Sequence, residues 1–424
     1  MQQIIVIIII FTAILIGLRR PCFAFSTFLL AGAFKADPRV VFISIYVDFT
    51  ILFSAITIIG IFRQYEEDAI NRLAFSWSFI IYSTISLMML ISLSYTSSPH
   101  YGLDKTFRFI AFIGLATISP FFLFKKRSDL WWFIAPFIVM MLLLNIDLIT
   151  SGEENDRRVR ALSANYLAFG RINGVALFFS LYLITQWKKP FVRLLLLASM
   201  ALSLYGVVSA GGRGPLLATI ATLALAFLLH QVGKINHSLR GDTTGLGLLD
   251  MLRSVGAIAM TGGAFVMAFL LAQRYFAQEL ARYQLALSGG GESIFTRISF
   301  ARTALNTINS SEGLWGVGVG GFNALVERPD TAQGTYPHNM LLEIWVELGA
   351  LVLIVFLIGI NMTMLRCVFK SYTIFSAEIR LLVLLFVFAI VNALFSGNLN
   401  DNRFVFTFLA ALEAFILLAH QYDT

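Results

Sequence analysis

A train of apolar runs, most close to 20 residues long and nearly free of charge, constrains this chain more than any other feature. A helix needs about 20 apolar residues to cross a hydrocarbon core, and its backbone groups must then be satisfied internally. The runs fall near 3–17, 39–62, 73–96, 107–124, 130–150, 164–186, 192–210, 215–230, 255–272, 340–362, 381–397 and 403–421. The expected architecture is therefore all-α, a polytopic membrane protein of about twelve spans. Composition agrees: 58% of the 424 residues are hydrophobic and 13% are charged, against about 25% charged in a soluble domain. The net charge of +7 does not point to nucleic acid, because the basic residues occupy short loops between apolar runs.

Those loops set an orientation. KKRSD (125–129), WKKPFVR (187–193), the 231–254 loop with Lys234, Arg240 and Arg253, and the 365–380 loop with Arg366, Lys370 and Arg380 are separated by even numbers of spans. All four fall on one side, which the positive-inside bias makes cytoplasmic, and both termini follow them. Arg19 and Arg20 run against that bias, and 21–34 is either re-entrant or a short extra span. The first run lacks a basic n-region and a cleavage site, so it is expected to be a retained span. The chain is expected to be one membrane domain over 1–424. Its one large extracytoplasmic loop, 273–339 between spans nine and ten, is expected to form a cap with two helical stretches, QRYFAQELARYQLAL and FTRISFARTALNTINSS. The two cysteines, Cys22 and Cys367, lie far apart and imply neither a disulfide framework nor a metal site.

Five histidines occur, and this topology places only His100 and His338 outside. His100 sits in a plain loop, SSPHYGLD. His338, in TYPHNMLLEIWVELGA, stands where the large loop meets span ten. An interfacial residue beside a helix start explains it equally well on position alone. A helix N-terminus favours bound anions, however, and nearby positive charge keeps an imidazole neutral and able to accept a proton. In SAGGRGPLLATI (209–220) a tight turn holds Arg213 at the outer surface over a helix start. A membrane hairpin has no need of an arginine there; an anionic ligand would explain it. Arg297 and Arg302 are five residues apart, so only one of them is expected to face a site.

Glu343 suits the first turn of its helix through the dipole, whereas Glu347 lies deeper. Asp48, Arg171 and Glu413 fall inside apolar runs, where charges are functional candidates or pair between helices. GVGVGG (316–321) lacks GK[ST] and follows no strand, which argues against a nucleotide-binding loop. No metal-ligand cluster is apparent, and neither metal nor organic cofactor is expected.

His338-Asn339, then nine residues, then Gly349 resembles the H-[NSQ]-x9-G signature of bacterial O-antigen ligases, twelve-span inner-membrane enzymes with one large periplasmic loop. GGRGP around Arg213 looks like that family's periplasmic arginine-glycine turn. TRISFARTALNTINSSEGLWGVGVGGFNAL looks like its loop pattern of an arginine, an aromatic residue and a closing glycine-rich stretch that ends in phenylalanine, here GVGVGGF. The pattern maps its loop arginine onto Arg297, with Phe300 where tryptophan is common. The signature usually continues G-x-x-[GTY], and Val352 departs from it, which keeps the related O-antigen polymerases as the alternative.

The resemblance implies a glycan donor on undecaprenyl diphosphate and a lipid A–core hydroxyl as acceptor. Transfer would invert the anomeric carbon in the periplasm, without metal or ATP. His338 would be the general base, with Arg213 and Arg297 gripping the diphosphate. Arg302, Asn339, Arg171 and Glu347 form a second tier. A transporter or lipid flippase is the competing class, but paired half-repeats with broken midplane helices are not found.

Overall fold

The computed structural model describes residues 2–151, 161–162, 164–239, 292–328, 330–331, 334–369 and 377–421. Span nine and the first part of the large loop, 273–291, lie outside the described residues. Among those residues the chain is helical, with no β-strand. Among the described residues, five helices are long and apolar enough to cross a membrane: Pro99–Leu123, Arg127–Thr150, Tyr166–Gln186, Pro190–Ser209 and Ala350–Cys367. Two bent pairs raise the number to seven. The twelve expected spans are thus met in part, and several apolar runs are broken for reasons that hydropathy does not register.

The chain opens with α1 (Gln2–Arg19) and α2 (Pro21–Leu30), the latter buried along nearly its whole length against α1, α4 and α9. Ten apolar residues are too few to span a bilayer but suit a core helix. The run 39–62 divides into α3 (Pro38–Ser44) and α4 (Phe49–Arg63), bent by 63°. Asp48 causes the break, since its carboxylate caps α4 by accepting from Thr50 N–H at 2.7 Å and pairs with Lys35 at 2.9 Å. The next run divides into α5 (Glu67–Ala74) and α6 (Trp77–Ser92), bent by 68°. There Ser76 caps α6, and the Glu413 carboxylate accepts from Trp77 and Ser78 N–H at 3.0 and 2.8 Å. Both acidic residues counted as intramembrane charges are therefore helix-terminus acceptors.

A third span starts earlier than its apolar run. α7 (Pro99–Arg108) continues through a π-helical turn, Phe109–Ile113, into α8 (Gly114–Leu123). His100 is in the first turn of α7, not in a plain loop. The Asp330 carboxylate accepts from His100 and Tyr101 N–H, both at 2.9 Å, a cap supplied from 230 residues away.

α9 (Arg127–Ser151), α10 (Tyr166–Gln186), α11 (Pro190–Ser209) and α12 (Arg213–Leu239) follow, with α10 packed on α11, α9 and α12. Beyond them come α13 (Glu292–Ile308), α14 (Phe322–Leu325), α15 (Met340–Leu348), α16 (Ala350–Phe369), α17 (Ala377–Ala393) and α18 (Arg403–Gln421). Stacked phenylalanines fill the centre: Phe133 meets Phe124 edge-on at 5.3 Å and Phe179 edge-on at 6.1 Å.

The bundle has two chemically different ends. At one, Tyr182 near the end of α10 donates to Glu378 at the start of α17, and Glu378 pairs with Arg127. Lys125 pairs with Glu66 at the same end, and the α10–α11 connection carries Lys188 and Lys189. At the other end the start of α10 meets the segment between α17 and α18, where the candidate site lies.

Candidate functional site

The segment that carries His338 is held by helix-end chemistry. Asn339 caps α15, its side-chain oxygen accepting from Leu341 and Leu342 N–H at 3.0 and 3.1 Å. At the far end Gly349 adopts φ +89°, which splits the expected tenth span into α15 and α16. The glycine-rich stretch closes on that end. Val317 N–H donates to the Val346 carbonyl at 2.9 Å, Gly318 N–H to Glu347 at 3.0 Å, and Ala350 N–H to Leu314 at 3.1 Å. A Cβ on Gly316 would collide with the Glu347 carbonyl, and one on Gly349 with that of Leu314. GVGVGG is therefore a backbone cap for α15: free helix carbonyls need donors, and only glycine lets a chain approach this closely with positive φ.

His338 has φ +58°, a left-handed conformation uncommon outside glycine and costly by about 1–3 kcal/mol. Its ring stacks on Phe300 of α13, centroids 6.2 Å apart and planes 9° apart. Tyr336 meets it at 4.5 Å and 60°, and Phe322 of α14 meets Phe300 edge-on at 5.8 Å. The aromatic and the closing phenylalanine of the loop pattern thus build the wall that orients the histidine. Its Nδ1 is buried without a hydrogen-bond partner. Burial, and then the Arg297 guanidinium, push the imidazole down to about 4, with Asp401 opposing them. His338 is neutral at physiological pH and an acceptor by default. Burial and the nearby Asp401 push the Tyr336 phenol well above its ordinary value.

Two arginines converge on residues 395–402, FSGNLNDN, between α17 and α18, and a third lies nearby. Arg297, half-buried, donates from Nη1 to the Phe395 carbonyl at 2.8 Å, whereas Arg302 is exposed. Arg171 donates from Nη1 to the Asp401 carbonyl at 3.0 Å. Its Nη2 donates to the Ser396 carbonyl and hydroxyl at 3.2 and 3.1 Å, and its Nε is buried without a partner. Arg213 is half-buried in the first turn of α12, after Gly211 at φ +62°. The adjacent Gly214 lies against Asn392, Phe395 and Ser396, and Pro215 against Gly170 of α10. Arg171, Arg213 and Arg297 therefore share one end of the bundle, and Arg297 lies within electrostatic reach of His338.

Nothing in the sequence analysis singled out residues 395–402 or Arg403. Arg403 places its guanidinium over Phe28 at 5.5 Å and Phe112 at 6.0 Å, within the field of Asp401 and Arg171. The signal was a polar, asparagine-rich turn joining two apolar runs on the same side as His338.

Glu347 does not open onto this cluster. It is buried with Glu343 against Lys105 of α7, which the hydropathy profile left outside its run. Among the described residues, no group of three histidine, cysteine or acidic side chains is placed to hold a metal ion.

Residues 198–357 match the family model described as O-Antigen ligase. That stretch includes Arg213, Arg297, Phe300, His338 and Gly349, and stops short of 395–402. A search of curated proteins gave no match. Over residues 198–357, this multi-pass membrane protein is similar to the O-antigen ligase family.

Proposed function

We propose that the protein transfers a glycan from undecaprenyl diphosphate to a sugar hydroxyl of lipid A–core, at the periplasmic face of a bacterial inner membrane. The observation that carries this reading is a neutral histidine, fixed by Phe300 and Tyr336, beside Arg297 and at the same end as Arg171 and Arg213. Basic side chains at 125–127 and 187–193 gather at the opposite end, which the positive-inside bias assigns to the cytoplasm.

In the proposed reaction the acceptor hydroxyl oxygen attacks the anomeric carbon, and its proton passes to His338. The bond from that carbon to the diphosphate oxygen breaks with inversion. Undecaprenyl diphosphate leaves with the electron pair. Arg213 and Arg297 grip the diphosphate and balance the charge that builds as it departs; planar guanidinium forks suit phosphate oxygens. The donor's negative charge, arriving beside His338, raises its proton affinity when the base is needed. The glycosyl diphosphate bond supplies the energy, so neither ATP nor a metal is required by this scheme.

An O-antigen polymerase is the second reading, favoured by Val352 at the end of the signature, where it packs into the core. Incubating purified protein with lipid-linked glycan, with and without lipid A–core, separates the two. Product on lipid A–core supports the ligase. Lengthened lipid-linked chains support the polymerase, and passage of unchanged lipid across a vesicle would overturn both.

A further inference from the structure

Lys105, Glu343 and Glu347 form a sealed cluster that the proposed mechanism does not use. Lys105 Nζ lies 2.6 Å from Glu343 Oε1 and 2.5 Å from Glu347 Oε2, and the three side chains are 1%, 0% and 0% exposed. Two carboxyl groups thus face one ammonium. The remaining oxygens, Glu343 Oε2 and Glu347 Oε1, are both buried without a hydrogen-bond partner. Fully ionised, the cluster would carry a net negative charge in a dry interior with two acceptors unsatisfied. Acids that share one site do not both ionise under those conditions.

Neighbouring elements do not supply the missing positive charge. Tyr101 of α7 lies 5.7 Å beneath Lys105 Nζ, and Tyr336 approaches from the segment before α15; both are neutral phenols. Asp401 adds negative charge, and Arg171 is engaged with Ser396 and the Asp401 carbonyl.

The cluster also joins the parts of the candidate site. Glu343 Oε1 accepts from Leu399 N–H at 3.2 Å, and Asn400 Nδ2 donates to the Lys105 carbonyl at 3.1 Å. Leu399 and Asn400 belong to the segment that receives Arg171 and Arg297. α15 carries His338 directly before its N-cap.

We propose that Glu343 and Glu347 retain one shared proton on their two unpartnered oxygens, and that this neutral cluster latches α15, and with it His338, to α7 and to residues 395–402. The positioning half of the proposal rests on His338 being the base. Loss of the proton leaves an uncompensated charge between α7 and α15, so the latch loosens as pH rises. Glu343→Gln imitates the protonated state: its carbonyl can still accept from Lys105 and Leu399, and its amide N–H can donate to Glu347.

The test is infrared spectroscopy of the purified protein, joined to the pH profile of glycan transfer. The wild type should show a protonated-carboxyl band at neutral pH that disappears at alkaline pH and is missing in Glu343→Gln. A wild-type band unaffected by Glu343→Gln, or no such band, overturns the shared proton. Transfer should decline at alkaline pH in the wild type, and Glu343→Gln should move that decline upward by about one pH unit or more, a tenfold change in proton affinity. Superimposable profiles overturn the latch.

Lys105→Met alone leaves the acids without their cation and risks misfolding. The triple variant Lys105→Met/Glu343→Gln/Glu347→Gln removes all three charges, and should fold yet lose about tenfold in kcat at unchanged KM. Full kcat in that folded variant also overturns the latch. If the wild type transfers no glycan, the base assignment fails while the infrared result still decides the shared proton.

Discussion

At the scale of single residues, His338 combines a left-handed backbone, an aromatic wall and a neighbouring guanidinium. In the proposed role of general base it would be worth about 10²–10⁴ in rate, so His338→Ala should lose glycan transfer by that factor in a membrane assay. Wild-type transfer by the variant would remove the base assignment. Its pH dependence has a definite sign. The folded imidazole titrates near 4, below the ordinary 6.5, because burial and Arg297 disfavour the charged form. Activity should therefore hold as pH falls through 6.5, the ordinary histidine value. The same depression contributes stability above that value, lost progressively as pH falls toward about 4. Arg297→Ala removes the positive neighbour and should move the acid limb of kcat/KM to higher pH. Arg213 carries a separate expectation. Arg213→Ala should impair turnover more than Arg213→Lys, since lysine keeps the charge and loses the fork; equal, full activity in both would remove the diphosphate clamp.

The elements show why the family signature has its spacing. Asn339 caps one end of α15, and Gly349 with the 316–321 stretch closes the other, so nine intervening residues are simply the helix. Gly349→Ala forces φ +89° on an L-residue and a Cβ onto the Leu314 carbonyl. It should destabilise the protein by more than about 1 kcal/mol, read as a lower thermal midpoint in detergent. Asn339→Ala should cost about 1 kcal/mol through loss of the cap. Apart from the cluster partners, an equal midpoint in both variants and the wild type would mean that α15 is held some other way.

Across the whole molecule, the arginine–histidine end and the lysine-rich end are opposite, and α10, α17 and α18 connect them. Both native cysteines are buried, so an introduced thiol can report sidedness over a low background. Arg302→Cys should react with a membrane-impermeant reagent added to spheroplasts. Lys126→Cys, at the other end, should react only after permeabilisation. The reverse pattern would invert the orientation and put the site in the cytoplasm.

The sequence by itself determined the helical class, the membrane setting and the family resemblance, because hydropathy is local and the H-N-x9-G spacing is the length of one capped helix. It also brought out His338, Arg213 and Arg297 as candidates, through their positions at ends of apolar runs. Tertiary structure alone decided how those ends meet. Asp330 caps a helix 230 residues earlier, Glu413 caps α6, Lys105 pairs with acids more than two hundred residues later, and residues 395–402 receive two arginines from distant helices. It also separated Arg297, half-buried against Phe395, from Arg302 in the open, and recast Glu347 as part of a buried ion cluster. The physical reason is range. Periodicity and capping act within one or two turns of chain, whereas a buried charge is satisfied by whichever partner the packing brings near.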